Sequence, residues 1–208
     1  MSQRRVRAYV GLGANLGDAE ATLVAAIAAI GDLPAVRLSG VSRLYATRPV
    51  GMVEQPEFRN AVIALDVPAG ADAATGALRL LGQLKDLERA FGRRPGPRWG
   101  PREVDLDLLV FGRARLAIER SPNARSLDAE VDPAKRAKLL EVPHPMAVSR
   151  LFVLAPLADL APRLVPPGWG RSVDSVRWEQ LALEGPAAVH VLATWDASAE
   201  GWRPLQPR

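Results

Sequence analysis

Apolar and polar positions along the chain alternate in two rhythms, one with a period of two and one with a period between three and four. Residues 6–13 (VRAYVGLG) form an apolar run closed by glycines, which predicts a buried first strand. Asp18 stands where an N-cap is wanted, ahead of an Ala-rich apolar stretch that predicts a helix to residue 30, ended by Gly31-Asp32-Leu33-Pro34. A second strand is expected over residues 36–45 and a third over 59–67, separated by a long loop (46–56) with two prolines. Between 71 and 91, Leu78, Leu81, Leu84, Leu87 and Phe91 recur at three or four residues, the mark of an amphipathic helix that Gly92 ends. After a loop rich in arginine and proline, period two returns. Val104, Leu106, Leu108 and Val110 are expected on one face of a strand, with Asp105, Asp107, Leu109 and Phe111 on the other.

This order, βαββαβ, predicts an α+β fold of ferredoxin-like arrangement with an antiparallel sheet. The first and last strands should be neighbours at its centre, and both helices should cover one face. The carboxylates then belong to the other face or to the strand end. Beyond this core a short strand is expected at 115–118. A polar segment of mixed charge follows, read as a surface insertion over 119–139 with one helical turn starting at Asp132-Pro133. Val142-Pro143-His144-Pro145 is a rigid turn. Residues 149–160 are apolar and partly helical, interrupted by Pro156. The tail over 170–208 predicts a helix (173–183) and a strand (189–195), an extension with no assigned role. The whole chain, 1–208, reads as one domain.

Composition narrows the classes. Hydrophobic content of 48% and charged content of 24% over 208 residues are ordinary for a soluble globular protein. No apolar run approaches the length of a membrane span, and the N-terminus lacks a signal peptide's apolar core. Cysteine is absent, which excludes disulfides and thiolate metal sites and fits a cytoplasmic protein. The net charge of +4 suits nucleic acid or a phosphorylated small molecule equally well. Of the 27 basic residues 24 are arginine, so where an arginine sits says more than how many there are.

Chemistry concentrates in residues 93–111. Asp105 and Asp107 share a strand face with Cα atoms ~7 Å apart. Such pairs are commonly solvated surface carboxylates. Here apolar neighbours line the opposite face, and Arg93, Arg94, Arg98 and Arg102 lie in ten residues without a carboxylate. Like charges so close call for a cation between them, and clustered guanidinium groups call for an anion. With two histidines and no cysteine, oxygen ligation of Mg²⁺ is the metal chemistry available, and a magnesium-bridged polyphosphate satisfies both demands. Trp99, among these arginines, serves either the core or stacking on a flat ring. Gly11, Gly13 and Gly17 miss the G-x-G-x-x-G spacing and read as a tight strand-to-helix turn; there is no P-loop. His144 is either a turn residue or a nucleotide contact, and Asn60 either caps its loop or binds a ligand.

Taken together, Arg98-Trp99-Gly100-Pro101-Arg102 with Asp105-Leu106-Asp107-Leu108 resembles the signature of the 6-hydroxymethyl-7,8-dihydropterin pyrophosphokinase family of folate biosynthesis. Further motifs agree in order: Gly11-Leu-Gly-Ala-Asn-Leu-Gly17, Ser42-x-x-Tyr45-x-Thr47-x-Pro49-x-Gly51, Gln55-Pro56-x-Phe58-x-Asn60, Glu88-x-x-x-Gly92-Arg93, Val142-Pro143-His144-Pro145 and Arg150-x-Phe152. The likeness covers residues 6–118 and 140–165. It implies transfer of the β,γ-pyrophosphoryl group of ATP to the pterin hydroxymethyl group, leaving AMP. It implies two Mg²⁺ on Asp105 and Asp107, with Arg93 and Arg102 closing over the phosphates. The pterin would meet Thr47, Val50, Phe58, Asn60, Trp99 and Phe152. The nucleotide would meet Lys85, Glu88, Arg98, Leu108, His144 and Arg150. Lys85 stands where some relatives carry glutamine, and Phe58 where a tyrosine is usual. The partners expected are small molecules, not nucleic acid or membrane, bound by a monomer. Two rival readings remain: another Mg-dependent nucleotidyltransferase on a ferredoxin-like fold, and an RNA-binding module. The second would want two or three exposed aromatics on central strands; Tyr9 is the only aromatic on the first strand, and two carboxylates on the last would repel phosphate.

Overall fold

The computed structural model describes residues 4–49, 54–93, 100–121 and 137–205. The fold mixes helices with an antiparallel sheet. Strand β1 (Arg5–Ala14) leads into helix α1 (Ala19–Gly31), and Asp18 caps it by accepting from the Ala21 N–H. Strands β2 (Arg37–Val41), β3 (Leu44–Thr47) and β4 (Phe58–Pro68) follow, then α2 (Ala73–Ala90), capped by Asp72 on the Thr75 N–H. Next come β5 (Asp105–Phe111), β6 (Leu116–Glu119) and β7 (Lys138–Val142). Helices α3 (Leu151–Leu160) and α4 (Val173–Glu184) and strands β8 (Val189–Asp196) and β9 (Gly201–Pro204) complete the chain. No helix among the described residues is long and apolar enough to cross a membrane.

The main sheet runs β5-β1-β4-β3-β8-β9, with β2 also on β4. β1 and β5 are neighbours as expected, but β5 ends the order instead of lying at the centre. β1 takes β4 on its other edge, which leaves β5 outermost; the tail only lengthens the sheet at the opposite end, where β8 adds to β3 and β9 to β8. The expected single strand over 36–45 is two, broken where Ser42 turns inward. Its N–H donates to the Val62 carbonyl at 2.9 Å, and its Oγ accepts from the Val62 N–H at 2.9 Å. Trp202 of β9 seals the break by donating its ring N–H to the Ser42 carbonyl at 2.9 Å. The extension therefore belongs to the sheet.

Two layers cover the sheet. α1 and α2 pack on the face presented by Val10, Leu12, Ile63, Leu106 and Leu108. α3 and α4 pack on the other, against Tyr9, Val62, Ala64, Leu109 and Val110. Strict alternation along β5 fails at one point. Val10 pairs with Leu108 but Tyr9 with Val110, so Leu109 is an extra residue in a β-bulge. The bulge moves Val110 to the α3 face and Phe111 to the α2 face, the reverse of the period-two expectation. Gly76 lets α2 come down on that side, since a Cβ there would lie 2.3 Å from the Ala69 carbonyl oxygen. Helix α3 runs through Pro156 without a break. The ~3 kcal/mol cost of an interior proline is offset by full burial of Leu151, Leu154 and Leu157. β6 and β7 pair as a hairpin at the base of the expected insertion, and the expected helical turn at Asp132-Pro133 lies outside the described residues.

Candidate active site

Beyond the last residues that α3 covers, the second face of the sheet continues as a row set by strand register. Asp105 of β5 is opposite Gly13 of β1, Gly13 opposite Asn60 of β4, and Asn60 opposite Tyr45 of β3. Asp107 lies opposite Gly11 and Thr47 opposite Phe58. Directly opposed residues share a face, so the carboxylates and Asn60 sit on one surface two strand spacings apart, ~10 Å. Glycine between them keeps this surface clear: a Cβ on Gly13 would stand 3.2 Å from the Asn60 Oδ1.

At the far end Asn60, 6% exposed, donates its Nδ2 to the Thr47 Oγ1 at 2.8 Å. The contact orients the amide and leaves its oxygen directed over Gly13. Asn60 is a side chain of the sheet surface, not a loop cap. Phe152 sits in the first turn of α3 with the Arg150 guanidinium 5.6 Å from its ring centre. Val50, Arg98 and Trp99 lie outside the described residues.

At the near end the Arg93 Nη1 bridges the Glu88 Oε1 and the Asp105 Oδ1, each at 2.6 Å. Lys85 donates to the Glu88 Oε1 at 2.7 Å and to the Leu106 carbonyl at 3.1 Å, and the Leu106 N–H donates to that same Glu88 oxygen at 2.7 Å. Burial alone would pull the Lys85 ammonium down. Glu88, Asp107 and Asp105 outweigh it and hold the ammonium above its ordinary value. Lys85 and Glu88 are thus engaged with β5. Leu108 points its side chain into the core, 3% exposed, so only its main chain faces away from the core. The His144 N–H donates to the carbonyl of the bulged Leu109 at 2.8 Å, which brings the rigid turn against β5.

Among the described residues no group of three or more His, Cys, Asp or Glu side chains could hold a metal. The Asp105–Asp107 pair nevertheless fits Mg²⁺, which binds through one or two carboxylates and takes its other ligands from phosphate and water.

Asn15 was not singled out from the sequence as a functional residue. It is 3% exposed and joins the two loops that flank the row. Its Nδ2 donates to the Gln55 Oε1 and the Pro56 carbonyl, both at 3.0 Å, and its Oδ1 accepts from the Arg102 N–H at 2.8 Å. The signal was its place between Gly13 and Gly17, where a polar residue follows a buried strand directly.

The family model of 7,8-dihydro-6-hydroxymethylpterin-pyrophosphokinase matches residues 9–162. The chain belongs to this family. A 2-amino-4-hydroxy-6-hydroxymethyldihydropteridine pyrophosphokinase of Pseudomonas aeruginosa is 40% identical over 158 residues, 76% of this chain and 82% of that one. Its counterpart in Methylorubrum extorquens is 34% identical over 183 residues, 88% of this chain and 96% of that one. Among solved structures, wild-type Plasmodium falciparum HPPK-DHPS with pteroate superposes with a TM-score of 0.70 at 10% identity. It covers 99% of this pyrophosphokinase, which spans about half (48%) of that chain. At that identity the likeness is one of fold.

Proposed function

We propose that this pyrophosphokinase transfers the β,γ-pyrophosphoryl group of ATP to the hydroxymethyl group of 6-hydroxymethyl-7,8-dihydropterin, leaving AMP, across the row Asp105–Gly13–Asn60. That row is the observation that carries the reading. It sets carboxylates at one end of a clear surface and an oriented amide–hydroxyl pair at the other. Asp105 and Asp107 would hold Mg²⁺, two ions in this reading, which neutralise the triphosphate when bound. Asn60 and Thr47 would present donors and acceptors in the plane of a flat heterocycle, and Phe58 and Val50 would supply apolar walls. Trp99 and Phe152 would stack on its two sides.

Arg93, ion-paired with Asp105, and Arg102, whose main chain is bonded to Asn15, would bear on the transferring group, where positioning and charge neutralisation do most of the catalysis. Arg98, His144, Arg150 and the Leu108 main chain would contact the nucleotide. The loops tied by Asn15 close the site against water, which would otherwise take the pyrophosphoryl group. The strand order supports a ferredoxin-like reading of the core: β1, β2 with β3, β4 and β5 alternate with α1 and α2 as βαββαβ. The same reading has one domain acting as a monomer in the cytoplasm on small molecules.

The test is purified protein with ATP, Mg²⁺ and the hydroxymethyl dihydropterin, the products separated by chromatography. AMP and the pterin diphosphate in equal amounts are expected. Release of free pyrophosphate with a nucleotidylated product would establish nucleotidyl transfer in its place.

A further inference from the structure

Among the described residues strand β5 ends the sheet, and one of its edges has no strand partner there. In an antiparallel ladder a residue turns both its N–H and its C=O to one side, and its neighbours turn theirs to the other. The two main-chain groups of Leu106 fall on the open side, where unpaired groups invite fraying or foreign pairing. They are not left open. Glu88 accepts from the Leu106 N–H at 2.7 Å, and Lys85 donates to the Leu106 carbonyl at 3.1 Å. Lys85 and Glu88 are three residues apart on α2, a spacing that puts both side chains over the same stretch of edge. They also bind each other, at 2.7 Å. A charged pair thus takes the place of the missing strand for one residue.

That residue separates Asp105 from Asp107. The angle and spacing of the two carboxylates follow from the pleat at Leu106, and its side chain, fully buried, anchors the pleat from below. Glu88 further restrains Asp105 through the shared Arg93 guanidinium. We propose that Lys85 and Glu88 are positioning residues: the pair clamps both main-chain polar groups of Leu106 and so sets the geometry in which Asp105 and Asp107 take up a divalent cation with phosphate. The inference rests on the reading of those two carboxylates as the metal–phosphate site.

Replacing a buried ion pair by apolar residues of similar volume commonly preserves the fold. The double variant Lys85→Met/Glu88→Leu therefore removes the clamp while keeping the packing. Lys85→Met alone changes a side chain that is 36% exposed and remains available should the double variant not fold. Two quantities are read on the full chain: amide hydrogen exchange at Leu106 by NMR, and Mn²⁺ affinity by electron paramagnetic resonance with α,β-methylene-ATP present.

The double variant should exchange Leu106 at least ~10-fold faster, the loss of one hydrogen bond to a charged group. It should bind Mn²⁺ about 10-fold more weakly, with the amide of Leu12 on β1 unchanged. Lys85→Met should weaken Mn²⁺ in the same direction, and Lys85→Arg should restore it. Unchanged Leu106 exchange would overturn the clamp. Faster exchange with Mn²⁺ affinity within twofold of wild type would overturn its positioning role, leaving a purely structural pair. Asp107→Ala separates the two levels. If it binds Mn²⁺ as wild type does, the carboxylate reading itself fails and the inference falls with it. If it binds poorly while the Lys85 and Glu88 variants bind normally, the carboxylates stand and the clamp alone is refuted.

Discussion

Asn15→Ala tests how the two loops around the active site are held. The side chain is buried and makes three hydrogen bonds, two donated to the 55–56 loop and one accepted from Arg102. Each is worth about 1 kcal/mol net, and more where a buried partner is left unmet. Water can reach the half-buried Gln55 and recover part of the loss, so about 2–3 kcal/mol of stability should go. For a chain of this size that lowers the Tm by roughly 4–12 °C. The main-chain bonds from Asn15 and Leu16 to the Arg102 carbonyl remain, so the Arg102 segment keeps this tether while the 55–56 loop loses its two bonds to Asn15. The assay is urea denaturation followed by circular dichroism, with a common m-value for wild type and variant, and KM for both substrates measured alongside. Asn15→Asp sharpens the result. A carboxylate still accepts from the Arg102 N–H but donates to neither Gln55 nor Pro56, so it should lose most of what alanine loses. A destabilisation below about 0.5 kcal/mol for both variants would show that the loops hold one another without Asn15.

Four further outcomes are expected. Asp105→Ala and Asp107→Ala should still fold, since neither side chain is in the core and Arg93 keeps Glu88 as a partner, yet lose most turnover at saturating Mg²⁺; near wild-type kcat in either would remove the metal role. Arg102→Ala should lower kcat more than it raises KM for ATP if its contact forms in the transition state, whereas a rise in KM alone would make it a ground-state clamp. Trp99→Ala should weaken pterin binding by about 1–3 kcal/mol, read by calorimetry, with little change in Tm; a large drop in Tm with normal binding would place Trp99 in the core. Arg7, and secondarily Ser39, hold the Asp66 carboxyl below its usual range, so the unfolded chain binds the proton more readily. This group therefore adds stability above the unfolded carboxylate pKa and loses it as pH falls through the folded one. The stability gap between wild type and Asp66→Asn, measured in urea at pH 6 and pH 3, should narrow in acid, and a constant gap would contradict the linkage.

Much of this protein follows from local pattern. Apolar runs bounded by turn residues placed β1 and β4, alternation placed β5, a three-to-four residue rhythm placed α2, and Asp18 fell at its helix start, because each depends on residues within a few positions of one another. The motif string, read in order, also identified the family before any geometry was available. Tertiary structure decided what depends on partners distant in the chain. Local alternation along β5 cannot reveal the bulge at Leu109, because the extra residue exists only relative to Tyr9 and Val10 on the facing strand. The break at Ser42 depends on Val62 and on Trp202, 160 residues away, and the tail's place in the sheet depends on the edge that β3 leaves open. The resemblance offered Lys85 and Glu88 as nucleotide contacts; their bonds to the main chain of Leu106 appear only because, among the described residues, the sheet's end puts an unpaired strand edge beneath them. Backbone periodicity is written residue by residue, whereas the pairing of hydrogen-bonding groups across strands is settled when the whole chain has to satisfy them at once.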